Sequence, residues 1–127
     1  SSSQLLNQLQ VNVVGSHLLL SRLVKAFFRK AKKGSVIGIL SQAISGEDKL
    51  PATGMGGYVI AKEALKGMLK VCSAEHPWLT VRAFSPHFTQ TKMLDVFDPR
   101  YIEMVESKKE LSTPEQVAQQ IINELTL

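Results

Sequence analysis

The stretch SVIGIL, residues 35–40, decides the fold class of this 127-residue chain. It is short and almost wholly apolar, as expected of a parallel strand that is buried on both faces. A second run of this kind, LTVRAFS, follows at residues 79–85. Between them lies a helical pattern, YVIAKEALKGMLKVCSAE at residues 58–75, which ends before His76 and Pro77. Strand, helix and strand in this order predict a βαβ unit and an α/β fold.

Predicted helices precede and follow this unit in the sequence. Residues 4–33 form a predicted helix that ends at Gly34, and its apolar side chains cover more than half of its circumference. Such a helix is covered on two sides, by the sheet and by a second copy of the chain. We therefore expect a homodimer or tetramer that forms through helices 4–33 and 58–75. A last helix begins at Thr113, in a capping box.

Composition narrows the class of protein. The length suits a single domain, residues 1–127, and 44% hydrophobic with 20% charged residues is typical of a globular protein. The single cysteine, Cys72, excludes a disulfide framework and a metal cluster and indicates a reducing, cytoplasmic setting. The net charge of +4 is mild, and no nucleic-acid motif, signal pattern or membrane-length apolar run occurs. We expect no nucleic-acid and no membrane partner.

Four polar positions that are distant in sequence are expected to meet at one edge of the sheet. Ligands of open α/β sheets bind beyond the carboxyl ends of the strands. Ser41 ends the first strand, Tyr58 begins the crossover helix at the same edge, and Ser85–Pro86 ends the second strand. The first helix rises about 28 Å between Asn12 and its end, at about 1.5 Å per residue. Because the strand rises roughly 23 Å in the opposite direction, Asn12 also arrives at this edge.

The chemistry at this edge comes from Tyr58 and Lys62, which lie one helical turn apart on the same face. An ammonium group and the positive end of a helix both stabilise a phenolate. The pair can therefore give a proton to a carbonyl oxygen or take one from an alcohol. Ser41 would hydrogen-bond the same oxygen, and Asn12 would hold a water that resupplies the proton.

These motifs, in this order, resemble the catalytic, C-terminal half of the short-chain dehydrogenase/reductase family, over nearly the whole chain. LQVNVVG (residues 9–15) is similar to the asparagine-containing helix of the family, and GSVIGILS (34–41) to the strand that ends at the catalytic serine. YVIAK (58–62) matches the Tyr-x-x-x-Lys site. VRAFSPHFTQTKM (81–93) is similar to the segment that contacts the nicotinamide cofactor.

The resemblance implies an oxidoreductase that transfers a hydride between NADP or NAD and a carbonyl or alcohol carbon of a small molecule. Its catalytic residues would be Asn12, Ser41, Tyr58 and Lys62, and Lys62 would also bind the nicotinamide ribose. Tyr58 would contact the cofactor too. Five further cofactor-binding positions would follow the second strand: Pro86, His87, Phe88, Thr89 and Thr91. No residue pattern identifies the substrate.

Three features depart from the family pattern. No strand here is followed by Thr-Gly-x-x-x-Gly-x-Gly, because the glycines of TGMGG (53–57) lie in a loop. His87 stands where the family has glycine. The loop between Ser41 and Tyr58 is longer than the common spacing in the family, and Ser45 lies at that spacing, so Ser45 is a rival to Ser41 as the catalytic serine.

We therefore expect a partial Rossmann-like, doubly wound parallel sheet that lacks the N-terminal nucleotide-binding strands. The chain would be a fragment of a longer enzyme and inactive alone. One alternative is a catalytically silent oligomerisation or interaction module derived from this family. Another is a sugar-nucleotide epimerase or dehydratase, which also uses Tyr-x-x-x-Lys, although SPHFTQTKM (85–93) is more similar to the dehydrogenases.

Overall fold

The computed structural model describes residues 1–46, 49–86, 88–89, 99–100, 103–104 and 111–125, and in this part the chain is a mixed α/β protein. Residues 99–100 and 103–104 are helical. The remaining elements, in chain order, are α1 (Ser2–Ala31), β1 (Ser35–Ile39), α2 (Gly56–Glu75), β2 (Thr80–Phe84), β3 (Phe88–Thr89), β4 (Leu111–Ser112) and α3 (Pro114–Leu125).

The predicted βαβ unit is confirmed. β1 and β2 pair in parallel, from Ser35 opposite Thr80 to Ile39 opposite Phe84, and α2 connects them. Pairing continues past β1, because the Leu40 N–H donates to the Phe84 carbonyl at 2.7 Å. The parallel order brings the carboxyl ends of both strands to the same edge of the sheet.

α1 is one long helix with two local irregularities. It begins at a capping box, in which the Ser1 hydroxyl accepts the N–H of Gln4 and the Gln4 side chain accepts from the Ser1 amine. The segments Gln10–Val14 and Val24–Phe28 are π-helical. Such wider turns concentrate at functional sites, and the first of them contains Asn12.

The predicted end of this helix at Gly34 is wrong. The residue in the left-handed conformation is Lys32, at φ 52°, so the helix ends two residues earlier. Gly34 serves a different purpose: a Cβ at this position would lie 2.7 Å from the Phe28 ring. Glycine is thus required there for close packing of the helix end against the start of β1.

The hydrophobic core lies between α2 and the β1–β2 sheet. Its centre is one cluster of buried side chains from the end of β1, the following loop and α2: Leu40, Ile44, Leu65 and Leu69. A second cluster joins α1 to this core: Val24, Cys72 and Leu79. The Cys72 thiol is buried in this second cluster, and burial raises its pKa.

α3 begins as predicted. The Thr113 hydroxyl accepts the N–H of Gln116, and the Gln116 side chain accepts the N–H of Thr113. At the other end of α3, Glu124 lies 3.9 Å from the guanidinium of Arg82 on β2, which ties this helix to the sheet. β3 and β4 pair in parallel, a contact between residues far apart in sequence that the sequence pattern does not predict.

The expectation that no apolar run reaches membrane length is wrong for α1, which among the described residues is the one helix long and apolar enough, by length and composition, to cross a membrane. Only 6% of its most apolar window is buried. The core helix of a soluble protein and a signal sequence pass the same test of length and composition. The absence of a membrane partner and the cytoplasmic setting therefore stay predictions.

Candidate functional site

Lys62 links the crossover helix to the carboxyl end of β1. Its ammonium group donates a hydrogen bond to the carbonyl of Ile39, the last residue of the strand, at 3.0 Å. The same Nζ lies 5.8 Å from the centre of the Tyr58 ring, which places the two predicted partners side by side. Partial burial of Lys62 lowers the pKa of its amine. This lysine is therefore held on the strand end rather than extended into solvent.

Tyr58 lies in the first turn of α2, where backbone N–H groups of the helix are not yet satisfied by the helix itself. No side chain caps this end of α2. A cavity of about 450 Å³ opens beside Tyr58, and its walls come from Gln4, Leu5 and Gln8 of α1 and from Gly54–Gly57. The phenol thus sits beside a space of the size that small molecules occupy in proteins.

The glycines before Tyr58 are partly helical. α2 starts at Gly56, so Gly56 and Gly57 form its first turn, and only Gly54 takes a positive φ, at 81°. A Cβ on Gly57 would lie 3.4 Å from the Cα of Leu5, so this glycine lets the starts of α1 and α2 approach each other. Its role is helix packing, and among the described residues no strand lies directly before this segment as a phosphate-binding loop requires.

Asn12 lies in the first π-helical segment of α1, and its amide donates to two oxygens of Gln8, the backbone carbonyl at 3.2 Å and Oε1 at 3.0 Å. A side chain that hydrogen-bonds to the backbone of its own helix can interrupt the regular i to i−4 hydrogen bonds and so distort the helix. The amide donors of Asn12 are thereby committed within α1. Its Oδ1 remains open to accept a hydrogen bond, which is the capacity that the predicted water-holding role requires.

A groove of about 430 Å³ joins Asn12 to Lys62. It runs between α1, α2 and the edge of β1 that faces away from β2, and Ser16 is its third polar side chain. Ser35, at the start of β1, is the fourth, and the other lining residues are apolar. Two of the four predicted catalytic residues therefore share this groove, while Tyr58 faces the neighbouring cavity near the start of α1.

Ser41 is buried, with 8% of its surface exposed, directly after the carboxyl end of β1. Its Oγ accepts the N–H of Ala43 at 3.1 Å, which leaves the hydroxyl proton free to be donated. Within the part of the chain that the structure describes, no hydrogen bond joins Ser41 to Tyr58 or Lys62. The lysine reaches the strand at Ile39, two residues before the serine.

Ser45, the alternative catalytic serine, is hydrogen-bonded to α2. Its hydroxyl donates to Oε1 of Glu63 on α2, and its backbone N–H donates to the same oxygen at 2.6 Å. A hydroxyl proton that is held by a carboxylate cannot also be donated to a substrate oxygen. This geometry favours Ser41 over Ser45 as the serine of the site.

The carboxyl ends of β1 and β2 are joined by Gln42. Its side-chain Nε2 donates to the carbonyl of Ser85 at 2.6 Å, and its N–H donates to the carbonyl of Pro86 at 3.2 Å. Pro86, a predicted cofactor contact, is thereby tied to the residue that follows Ser41. The sequence analysis missed Gln42, although its position directly after the predicted serine was a usable signal.

The remaining predicted cofactor contacts lie beyond Pro86. Phe88 and Thr89 form the short strand β3, which pairs with β4. His87 and Thr91 lie outside the described residues. No group of three His, Cys, Asp or Glu side chains among the described residues could hold a metal ion. The structure brings the amine of Lys62 beside the ring of Tyr58 and into one groove with Asn12, and Ser41 lies two residues after the strand end that Lys62 contacts. A phenol beside an amine is a pair suited to proton transfer.

Comparison of the sequence with protein-family models and with curated proteins finds no match.

Proposed function

We propose that this chain is the catalytic half of an NAD(P)-dependent short-chain oxidoreductase, in which Tyr58 is the general acid and base. The observation that carries the proposal is the placement of Lys62. Its amine is partly buried, hydrogen-bonded to the end of β1 and 5.8 Å from the Tyr58 ring. A lysine whose side chain extended into solvent would not make the hydrogen bond to the strand end. The resemblance of the sequence motifs supports the same assignment.

In the proposed reaction, Tyr58 gives its proton to the carbonyl oxygen of the substrate during reduction and takes it back during oxidation. The ammonium of Lys62 stabilises the phenolate that forms. The hydroxyl of Ser41 donates a hydrogen bond to the same oxygen, and the open Oδ1 of Asn12 holds a water that returns a proton to Tyr58. The nicotinamide cofactor, when bound, supplies or accepts the hydride.

The described residues fit only the nicotinamide end of such a cofactor. Lys62 would hold its ribose, and Pro86 would contact the nicotinamide, both at the carboxyl edge of the sheet. For the diphosphate, the described residues provide no strand, glycine turn and helix in that order. The proposal therefore assigns the rest of the cofactor site to a part of the protein outside these 127 residues.

The edge of β1 that faces away from β2 supports the proposal that part of the cofactor site lies outside these 127 residues. β1 pairs with β2 alone among the described residues, and the pairing is extended at its two ends by the Gly34 carbonyl and the Leu40 N–H. Backbone groups alternate in direction along a strand, so those of Ser35, Ile37 and Ile39 point the other way, into the groove beside α1. A parallel sheet of two strands is smaller than stable sheets normally are. A larger, Rossmann-like sheet that continues from this edge is part of the proposal.

The proposed function is tested in the longer protein that carries this chain, by measuring the NADPH-dependent reduction of a panel of small aldehydes and ketones. Lys62→Met should lower turnover about 100-fold or more, the usual contribution of an acid–base group. Lys70→Met is the matched control, because Lys70 is exposed on the same helix and two turns further along. Equal activity of the two variants would contradict the proposal.

A catalytically silent interaction module is the second candidate, and exposed apolar side chains favour it. On α1, more than half of the surface is exposed at Leu6, Val11, Val14, Leu18, Leu19 and Phe27. α2 exposes Ile60 and Val71 in the same way. Surfaces of this kind are typical of protein–protein contacts. A longer protein that assembles through these helices but reduces no carbonyl compound would favour this candidate.

A further inference from the structure

The described part of the loop between β1 and α2 is attached to α2 by the buried side chain of Ile44, which packs with Leu65 and Leu69, and by the hydrogen bonds of Ser45. Its N–H and its hydroxyl both donate to Oε1 of Glu63, the N–H at 2.6 Å. Its carbonyl accepts from Nζ of Lys66 at 3.2 Å. Every hydrogen-bonding group of Ser45 is therefore taken by a side chain of α2. Glu63 and Lys66 are three residues apart and so lie on neighbouring positions of one helix face.

The loop is also closed on itself. The Ala52 N–H donates to the Ala43 carbonyl at 2.8 Å, and Gly46 pairs with Lys49 in an antiparallel bridge. The Lys49 ammonium donates to the carbonyl of Gln42. Because these bonds join the described residues of the loop to one another, the attachment at Ser45 restrains its neighbours Ala43 and Gly46 as well as Ser45 itself.

This segment connects the two halves of the proposed site. Ser41 lies at the start of the loop, four residues before Ser45, and Tyr58 and Lys62 lie on the helix that carries Glu63. The side chains of Ala43 and Ile44, between the two serines, are buried, so the chain from Ser41 to Ser45 has little freedom to adjust. A displacement of Ser45 from α2 would be passed on to Ser41.

We propose that Glu63 and Lys66 are positioning residues, which hold Ser45 on α2 and thereby set the place of the Ser41 hydroxyl relative to Tyr58. The inference rests on the proposed function, because it concerns the same proton-transfer site. Hydrogen bonds that involve a carboxylate are about twice as strong as those between neutral groups. In agreement, the Ser45 hydroxyl, then its N–H, and then the nearby Lys66 and Lys70 hold the pKa of Glu63 below its usual value.

The attachment itself is tested by amide hydrogen exchange of Ser45 in the longer protein that carries this chain. Glu63→Leu should raise the exchange rate of this amide about tenfold or more, the loss expected for a hydrogen bond to a charged group. Glu63→Gln, which keeps an acceptor but not the charge, should give an intermediate rate. Glu75→Leu is the control, because Glu75 is an exposed carboxylate at the end of the same helix. An unchanged rate in Glu63→Leu overturns the inference, whatever the activity of the protein.

The positioning role is tested by kinetics of the same variants. Glu63→Leu should lower kcat roughly 10- to 100-fold, because displacement of a reacting group by about 1 Å can cost that much. The KM for substrate and the Kd for NADPH should not change. In a Ser41→Ala background, Glu63→Leu should lower kcat no further, since a residue that acts only through Ser41 has nothing left to position.

The outcomes separate the two proposals. Faster Ser45 exchange together with a kcat loss that disappears in Ser41→Ala supports the positioning role. Faster exchange with an unchanged kcat, or with a kcat loss that adds fully to that of Ser41→Ala, overturns it. The proposed function fails on a different result, equal activity of Lys62→Met and Lys70→Met. In that case the exchange rate of the Ser45 amide still tests whether Glu63 holds Ser45.

Discussion

At the scale of single residues, the site depends on how the side chains of α2 are divided between chemistry and support. Lys62 contacts the strand end and the tyrosine ring. The next residue, Glu63, points to the loop and holds Ser45. Two adjacent helix positions thus serve different partners, because successive residues of a helix face directions about 100° apart. A shift of the helix by one residue would turn both side chains away from their partners and break both contacts.

The carboxylate of Glu63 predicts a pH dependence of stability. Because its pKa is lower in the folded chain than in the unfolded chain, its contribution is fully present above the unfolded value of about 4.3. The contribution is lost as the pH falls through the lowered folded value. Urea unfolding of the wild type and of Glu63→Gln should therefore give a stability difference that shrinks below about pH 4.3. A difference that stays constant from pH 7 to pH 3 would contradict the pairing with Ser45.

Some residues of the site were predictable and others were not. The spacing of Tyr58 and Lys62 is local, so the helical period alone places them together, as the structure bears out. The contact of Gln42 with Ser85 and that of Glu63 with Ser45 join residues 43 and 18 positions apart. No local pattern encodes such contacts, because they depend on how the loop folds back onto the sheet and the helix.

At the scale of elements, the packing of α2 on β1 depends on a glycine in the middle of the strand. A Cβ on Gly38 would overlap the side chain of Leu69, whose Cγ would be only 3.1 Å away. Leu69 is itself 5% exposed within the core and has little room to move. Gly38→Ala should therefore lower the free energy of unfolding by about 1–3 kcal/mol, the usual cost of overpacking.

Gly67→Ala is the matched control for this prediction. Gly67 lies in the middle of α2, where a Cβ would meet nothing within 4 Å. Alanine should stabilise the helix there by up to about 1 kcal/mol, because glycine is a poor helix former. Denaturant unfolding measures both variants. Equal stability of the two would show that α2 does not pack on Gly38 as described.

The elements themselves were largely readable from the sequence, and their ends less so. Apolar runs predicted β1 and β2, the helical period predicted α1 and α2, and a capping box predicted α3. The end of α1 was predicted at Gly34 because glycine favours the left-handed conformation, yet Lys32 adopts it. Gly34 is needed instead because the Phe28 ring packs against it, and the sequence does not show this contact.

At the scale of the whole molecule, the exposed apolar face of α1 predicts self-association. Val11, Val14 and Leu18 follow the i, i+3, i+7 spacing of one helix face and are 67%, 57% and 53% exposed. Fully burying such a side chain contributes roughly 1.5–3 kcal/mol. Replacing Val11 and Leu18 by glutamate should therefore weaken a dimer about 100-fold or more, as measured by sedimentation equilibrium.

Leu50→Glu is the control for self-association. Leu50 is 87% exposed, but it lies in the loop between β1 and α2 and away from the face of α1. Its replacement should leave the oligomeric state unchanged. A wild-type protein that is monomeric at all concentrations, or a dimer that survives the double replacement on α1, would contradict the association through these helices.

The central claim, that Tyr58 is the acid–base group of an NAD(P)-dependent reductase, is tested most directly by Tyr58→Phe in the longer protein that the proposed function requires. This change removes one hydroxyl and keeps the ring beside Lys62. The account predicts that kcat for carbonyl reduction falls about 10²- to 10⁴-fold while the Kd for NADPH is unchanged. Near-normal turnover by Tyr58→Phe would contradict it.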